Sequence, residues 1–224
     1  GATAPPELTV TLRGFGATSL DDPQPITPDT LFTIASISKT MTATAVMRLV
    51  ELGTLDLKAP IQRYLPDFRI ADDDTSRQVT LWHCLTHTPG WEGQLTTEDR
   101  GAEALAHFAS SIMPTLPALA PPGRVWSYNN AGFALTGRVI EAVTGKSIHD
   151  ALRDLVFAPL GLGHTVTRLT DAMTWRLTLG HRDRDAGVEV IRPFQTTSST
   201  TAGGVLTSLT DMMRYARFHM GDGT

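Results

Sequence analysis

The sequence holds 224 residues, enough for one domain with a real core or for two intertwined lobes. Hydrophobic residues make up 41%, charged residues 19%, and the net charge is −4, so nothing in the composition points to nucleic acid or an anionic membrane as partner. The single cysteine, Cys84, excludes a disulfide within this sequence, and no apolar run approaches the roughly 18 residues of a membrane span.

Residues 8–14, "LTVTLRG", alternate apolar and polar side chains and end in glycine, which predicts a strand. A polar turn region, "DDPQPITPD", follows. From Met41 to Leu52 apolar side chains fall on nearly every face. That pattern predicts a helix buried all round, with Gly53 placed to stop it. Helical pieces joined by Pro- and Gly-marked loops come next. "APIQRYLP" is short and bracketed by prolines, and the acidic run at 72–74 reads as a solvated loop. "TLWHCLTH" opens on Thr80 as an N-cap, and "EALAHFASS" is amphipathic. "GFALTGRVIEAVTG" ends at Gly145, and "SIHDALRDLV" opens on Ser147 with Asp150 three residues on, close to a capping box. "GHRDRDAGVEVIRP" predicts a hairpin turning at 185–187. "TAGGVLTS" reads as a strand or loop, and "SLTDMMRYARFHM" as a last helix capped by Ser208. The order predicts an α/β (α+β) fold: a sheet with helices packed on it and an inserted all-helical lobe. The sheet lobe is assigned to 1–53 and 180–224, the helical lobe to 54–179, with the active site between them.

"FTIASISKTMTA" carries the first chemical pattern. The chain has only three lysines against sixteen arginines, and one of them, Lys39, stands three residues after Ser36. On a helix that spacing puts both side chains on one face, whereas Ser38 points elsewhere. Ser36 would lie in the first turn, where unpaired N–H groups stabilise negative charge developing on its oxygen. A lysine buried beside it can act as a base at neutral pH. The plainer reading is a serine cap with a solvated lysine. With eleven serines in the chain, chance predicts roughly 0.15 Ser-x-x-Lys matches, so spacing alone does not decide between them.

"PPGRVWSYNNAGFALTG" carries the second. Tyr128 and Asn130 are two apart, and in an extended segment both point to one side. A phenol can relay protons, and an amide can hold a substrate carbonyl while bonding a lysine. The plainer reading is a packed tyrosine, with Asn129 or Asn130 capping the next helix.

Together these stretches resemble the serine β-lactamase and penicillin-binding-protein superfamily. The nearest likeness is to its class C β-lactamase-like branch, which includes esterases and D-alanyl-D-alanine peptidases. The resemblance covers nearly the whole chain. "TPDTLFTIASISKTMTATAVMRLVELGTLDL" resembles the nucleophile segment, and "VTLWHCLTHTPGW" the "LLTHTSG" segment. "PPGRVWSYNNAGFALTGRVIEAVTG" resembles the Tyr-x-Asn segment, and "TAGGVLTSLTDMMRYARF" the Gly-Gly segment. The resemblance implies Ser36 as acylated nucleophile and Lys39 as its base partner. It implies Tyr128 as proton relay and Asn130 as ligand of substrate and Lys39. Whether Lys39 or Tyr128 takes the serine proton stays open. The Ser36 N–H would form half of an oxyanion hole.

The family's third motif, Lys-Thr-Gly or His-x-Gly on an inner strand, is not found. His219-Met220-Gly221 fits the letters but reads as a helix terminus. The expectation is therefore a sheet incomplete at the C-terminus, finished by further C-terminal sequence or by a partner chain. His83 and His87, four apart on a probable helix, have metal-ligand spacing, but His87 reads as a packing residue of the "LTHTPG" turn. Trp126, near Tyr128, is a candidate wall of the substrate site. No metal or organic cofactor is implied. The resemblance tilts the setting toward the periplasm or exterior.

The reading is a serine hydrolase working through an acyl-enzyme on Ser36, with β-lactams, short esters or D-amino-acid peptides as candidate substrates. The alternatives are a catalytically silent relative that binds or assembles, and a D-Ala-D-Ala carboxypeptidase.

Overall fold

The structure, a computed structural model, describes residues 10–93, 101–191 and 196–221. Two antiparallel sheets appear among them. The larger has three short strands, β1 (Phe32–Thr33), β2 (Thr165–Val166) and β5 (Leu206–Thr207), in the order β1-β5-β2. Phe32 and Thr165 both stand opposite Thr207, and Thr33 and Val166 opposite Leu206. The second sheet is the expected hairpin, β3 (Gly180–Arg184) with β4 (Gly187–Ile191), turning through Asp185 and Ala186. It stands as its own exposed two-stranded sheet rather than extending the first. β2 lies inside the stretch assigned to the helical lobe, so the main sheet draws one strand from it.

The helices are α1 (Ser38–Glu51), α2 (Asp73–Gln78), α3 (Leu81–Leu85), α4 (Ala104–His107), α5 (Asn130–Thr144), α6 (Ile148–Leu152), α7 (Leu169–Ala172), α8 (Thr200–Gly203) and α9 (Leu209–Met220). None of the described helices is long and apolar enough to cross a membrane. α5 is the hub. Its residues from Ala131 to Gly137, and then Val139, Ile140 and Glu141, are buried. Gly145 closes it in the left-handed conformation, φ +66°, that glycine adopts without steric cost. Gly137 lets α8 approach: a Cβ there would stand 2.8 Å from Thr201 Cγ2 and 3.1 Å from Leu105 Cδ1. That contact matters because α8 carries part of the site.

Several expectations are corrected. Residues 10–14 form no strand ladder, and positions 8 and 9 lie outside the described residues. Gly14 instead lies against the Ile26 backbone, and a single bridge joins Ala17 to Pro25. The chain doubles back on its own polar turn region rather than entering the sheet. α1 is not buried all round. Met41, Ala45, Val46 and Leu49 form one fully covered stripe, but Met47 is 48% exposed. Met47 sits about 200° around the axis from Ala45, away from the core. The acidic run is not a plain loop. Asp72 accepts the Thr75 N–H at 2.7 Å and caps α2, with Asp73 and Asp74 in its first turn, where the helix dipole favours them. "TAGGVLTS" begins as α8 and becomes strand only at Leu206. Beside β1, whose Phe32 is 40% exposed, lies an open apolar hollow of about 390 Å³ lined by Phe15, Ile34, Leu209 and Met212.

Asp211 fastens the sheet to α9. It is fully buried, and its carboxylate accepts the His164 N–H at 2.7 Å, the Thr165 hydroxyl at 2.9 Å and Arg214 at 2.9 Å. Thr165 in turn bonds Thr207 across the strands at 2.6 Å. Replacing Asp211 by alanine removes at once the acceptor of the part-buried His164 N–H, of the buried Thr165 hydroxyl and of Arg214. Asp211→Ala should lower unfolding free energy by about 3–5 kcal/mol, read as a shifted urea midpoint.

Candidate active site

Ser36 sits in a 3₁₀ turn, Ala35–Ile37, that runs into α1. In such a turn residues three apart eclipse, so Ser36 and Lys39 meet as the spacing predicts. Ala35, which precedes the serine, has φ +43°, a strained conformation for a residue with a Cβ. Three bonds hold α8 and the segment after it against this turn and α1. Ile34 N–H donates to the Val205 carbonyl at 3.1 Å, and Val205 N–H to Ser38 Oγ at 3.0 Å. The Thr42 hydroxyl donates to the Thr201 carbonyl at 2.9 Å. Ser38 therefore points away from Ser36 and does structural work, as its position implies.

Lys39 is 6% exposed, so the solvated-lysine reading fails. Its Nζ donates to the Ala202 carbonyl at 2.6 Å, to Asn130 Oδ1 at 2.8 Å and to Ser36 Oγ at 3.3 Å. Three acceptors match the three donors of an ammonium. The same Nζ lies 4.8 Å from the Tyr128 ring centroid and 5.4 Å from that of Phe133, within cation–π range. Tyr128 Oη stands 2.6 Å from Ser36 Oγ. Burial acts to raise the Tyr128 pKa, but the polar contacts with Lys39 and Ser36 and the Lys39 charge outweigh it, and the pKa lies below the usual phenol value.

Tyr128 and Asn130 do not share one extended segment. Asn130 is the first residue of α5, and Asn129 between them is its N-cap, accepting the Gly132 N–H at 2.7 Å. The cap turn aims both flanking side chains at Lys39. Asn130 and Ala131 N–H groups donate to the Gly93 carbonyl at 2.9 and 3.3 Å, which anchors the start of the helix. So the capping asparagine and the lysine-binding asparagine are separate residues.

All four expected residues, Ser36, Lys39, Tyr128 and Asn130, come together. Two further contributors were not named by the sequence. The Ala202 carbonyl is a backbone atom with no side-chain signature, although the Gly-Gly segment that carries it was recognised. His87, by its sequence a packing residue of the "LTHTPG" turn, has its ring centroid 4.6 Å from that of Tyr128. The metal spacing of His83 and His87 dissolves, because α3 ends at Leu85 and His87 lies beyond it with φ +60°. His83 Nδ1 instead faces the Thr80 N–H at 3.2 Å, closing the cap of α3. Trp126 is 66% exposed and meets His87 edge-on at 6.0 Å. His219 ends α9 and packs edge-on against Tyr215 at 4.5 Å, as a helix-terminal residue does.

An α+β fold with antiparallel strands, and a serine at a helix tip beside a buried lysine, a tyrosine and an asparagine, describes the class of penicillin-recognising serine proteins. A family model described as Beta-lactamase matches residues 8–224, and the chain belongs to that family. It is 36% identical to penicillin-binding protein 4 of Amycolatopsis lactamdurans over 202 residues, covering 88% of this chain and 53% of that protein. It is 37% identical to esterase EstB of Burkholderia gladioli over 169 residues, covering 67% of this chain and 42% of the esterase. The chain thus spans about half the length of the curated relatives it matches. Among solved structures, the class C β-lactamase from Rhodobacter sphaeroides superposes with TM-score 0.75 at 32% identity, covering 94% of this chain and 57% of that one. A β-lactamase/D-alanine carboxypeptidase from Pseudomonas syringae gives TM-score 0.79 at 26% identity, covering 94% and 56%.

Lys39 supplies two of the three influences that hold the Tyr128 pKa down, so its removal leaves burial, which acts the other way, opposed only by the Ser36 hydrogen bond. In Lys39→Met, spectrophotometric titration of the phenol, taken as a difference against Tyr128→Phe, should show the Tyr128 midpoint moving up. An unchanged midpoint would show that the ammonium does not govern the phenol.

Proposed function

We propose that the protein is a serine hydrolase working through an acyl-enzyme on Ser36. The observation that carries this is the placement of Ser36 Oγ 2.6 Å from Tyr128 Oη and 3.3 Å from Lys39 Nζ. These are the distances of proton transfer between nucleophile and base. The site so read is formed by the turn before α1 and the start of α1, the end of α8 and the start of α5.

Tyr128 is the proton acceptor in this reading. Lys39 has its three donors engaged as an ammonium, whereas the phenol carries a lowered pKa and lies closer to the serine. Tyrosinate accepts the Ser36 proton as Oγ attacks the substrate carbonyl, and the tetrahedral oxyanion forms near the N–H groups of the first turn. The phenol then returns the proton to the leaving oxygen or nitrogen, and the acyl group stays on Ser36. Water, deprotonated by the same tyrosinate, releases it. Asn130 Oδ1 accepts from Lys39, which leaves its Nδ2 to donate to a substrate carbonyl. Lys39 keeps the phenolate stable by its charge. Relatives named an esterase, a penicillin-binding protein and a class C β-lactamase support an activated ester, a β-lactam or a D-amino-acid peptide as substrate.

Incubation of the full-length protein with a fluorophosphonate or a labelled penicillin should add mass at Ser36, lost in Ser36→Ala. Tyr128→Phe should slow acylation by about 10²–10⁴-fold. The wild-type rate should rise with pH through a midpoint below that of a free phenol, because the lowered pKa puts more of the base form at neutral pH. No adduct from the full-length protein would leave a binding or assembly protein on the same fold.

A further inference from the structure

We propose that His87 is the positioning residue of the 127–130 arm, holding the Tyr128 phenol against Ser36 only while its Nδ1 is unprotonated. His87 grips the arm by two separate atoms. Its carbonyl accepts the Ser127 N–H at 2.8 Å, and its imidazole Nδ1 accepts the Asn129 N–H at 3.0 Å. These bonds bracket Tyr128 in the chain. The ring between them stacks beside the phenol, with centroids 4.6 Å apart and planes inclined by 31°. Phe133 of α5, at 5.4 Å, and Trp126, at 6.0 Å, complete an aromatic surround.

The backbone shows that this grip is imposed rather than incidental. His87 takes φ +60°, which is uncommon for a residue with a Cβ and needs support from its surroundings. That conformation turns the chain out of α3 so that carbonyl and ring both meet the arm. His87 touches no reacting atom. It acts through Tyr128 and Asn129, and Asn129 is the N-cap that places Asn130 on Lys39.

The bond to Asn129 also fixes the tautomer. A donor aimed at Nδ1 leaves the proton on Nε2, and a second proton on Nδ1 would face the Asn129 N–H head-on. The charged or titratable groups facing the imidazole among the described residues are the Lys39 ammonium from α1 and the Tyr128 phenol from the arm; Phe133 and Trp126 bring apolar rings. Burial, and then the Lys39 charge, outweigh an opposing effect of the Asn129 backbone and hold the His87 pKa below the usual histidine value. The arm is therefore intact at neutral pH and loosens as pH falls through that lowered pKa.

This inference rests on the hydrolase reading for its kinetic consequence but not for its structural one, so two measurements are paired. The first follows the Asn129 backbone amide by ¹⁵N NMR in full-length protein. Its shift should titrate with acid in the wild type and stay flat in His87→Asn. Asparagine is chosen because its Oδ1 replaces Nδ1 as acceptor and because it tolerates positive φ. The second measures fluorophosphonate acylation of Ser36. His87→Leu, which removes the acceptor, should slow the acylation step by about 10- to 100-fold with little change in probe affinity. His87→Asn should recover at least part of that loss and lack the acid limb of the wild-type profile. A wild-type Asn129 amide indifferent to acid, or a folded His87→Leu that acylates at the wild-type rate, overturns the proposal. If the wild type acylates nowhere, the hydrolase reading fails, and the amide titration still decides the role of His87.

Discussion

One ammonium with three acceptors organises this molecule. Lys39 draws the Ser36 hydroxyl from the turn before α1, the Asn130 side chain from the start of α5 and the Ala202 carbonyl from the end of α8. A buried cation left unpaired would cost several kcal/mol, so each acceptor must be delivered in place. Much of the nearby packing serves that delivery. Gly137 admits α8 close to α5, the Thr201 hydroxyl donates to the Phe133 carbonyl at 2.7 Å, and Thr42 takes the Thr201 carbonyl. The core and the site are in this sense a single problem of packing.

That constraint also divides the chemical labour. A lysine whose donors are all engaged serves as a fixed positive charge. The phenol beside it feels that charge, which lowers its pKa. The arm carrying the phenol is pinned from behind by His87 and from below by the Gly93 carbonyl. Ser36 stays exposed, at the tip of a strained turn, where a substrate carbonyl can reach it. A buried cation and an exposed serine hydroxyl thus stand within one hydrogen bond of each other, the preorganised geometry on which the proposed acylation rests.

The elements most legible in the sequence were those with strong local codes. α5 announced itself through its closing glycine, α9 through its Ser208 cap, and the hairpin through its short turn. Less legible were segments whose state depends on partners distant in the chain. Residues 8–14 have strand alternation, but those described make no ladder, and a strand needs a neighbour to be one. "TAGGVLTS" mixes helix and strand because α8 is set by its contacts with α1 and α5 rather than by propensity. The acidic run became a helix start through the single Asp72 cap. α1 looked buried on all sides because composition records how apolar a helix is, and not which of its faces the fold covers.

The sequence by itself determined the pairing of Ser36 with Lys39 and the family. Ser36 and Lys39 are three apart, and helical geometry brings such residues together whatever the rest of the chain does. Four ordered segments identified the superfamily, and with it Tyr128 and Asn130. Only the tertiary structure decided that the lysine is buried, that a backbone carbonyl 163 residues away completes its coordination, and that a histidine 42 residues from Asn129 holds the arm. Those facts rest on contacts between elements far apart in the chain. Local spacing carries no record of such distances, so packing had to supply them.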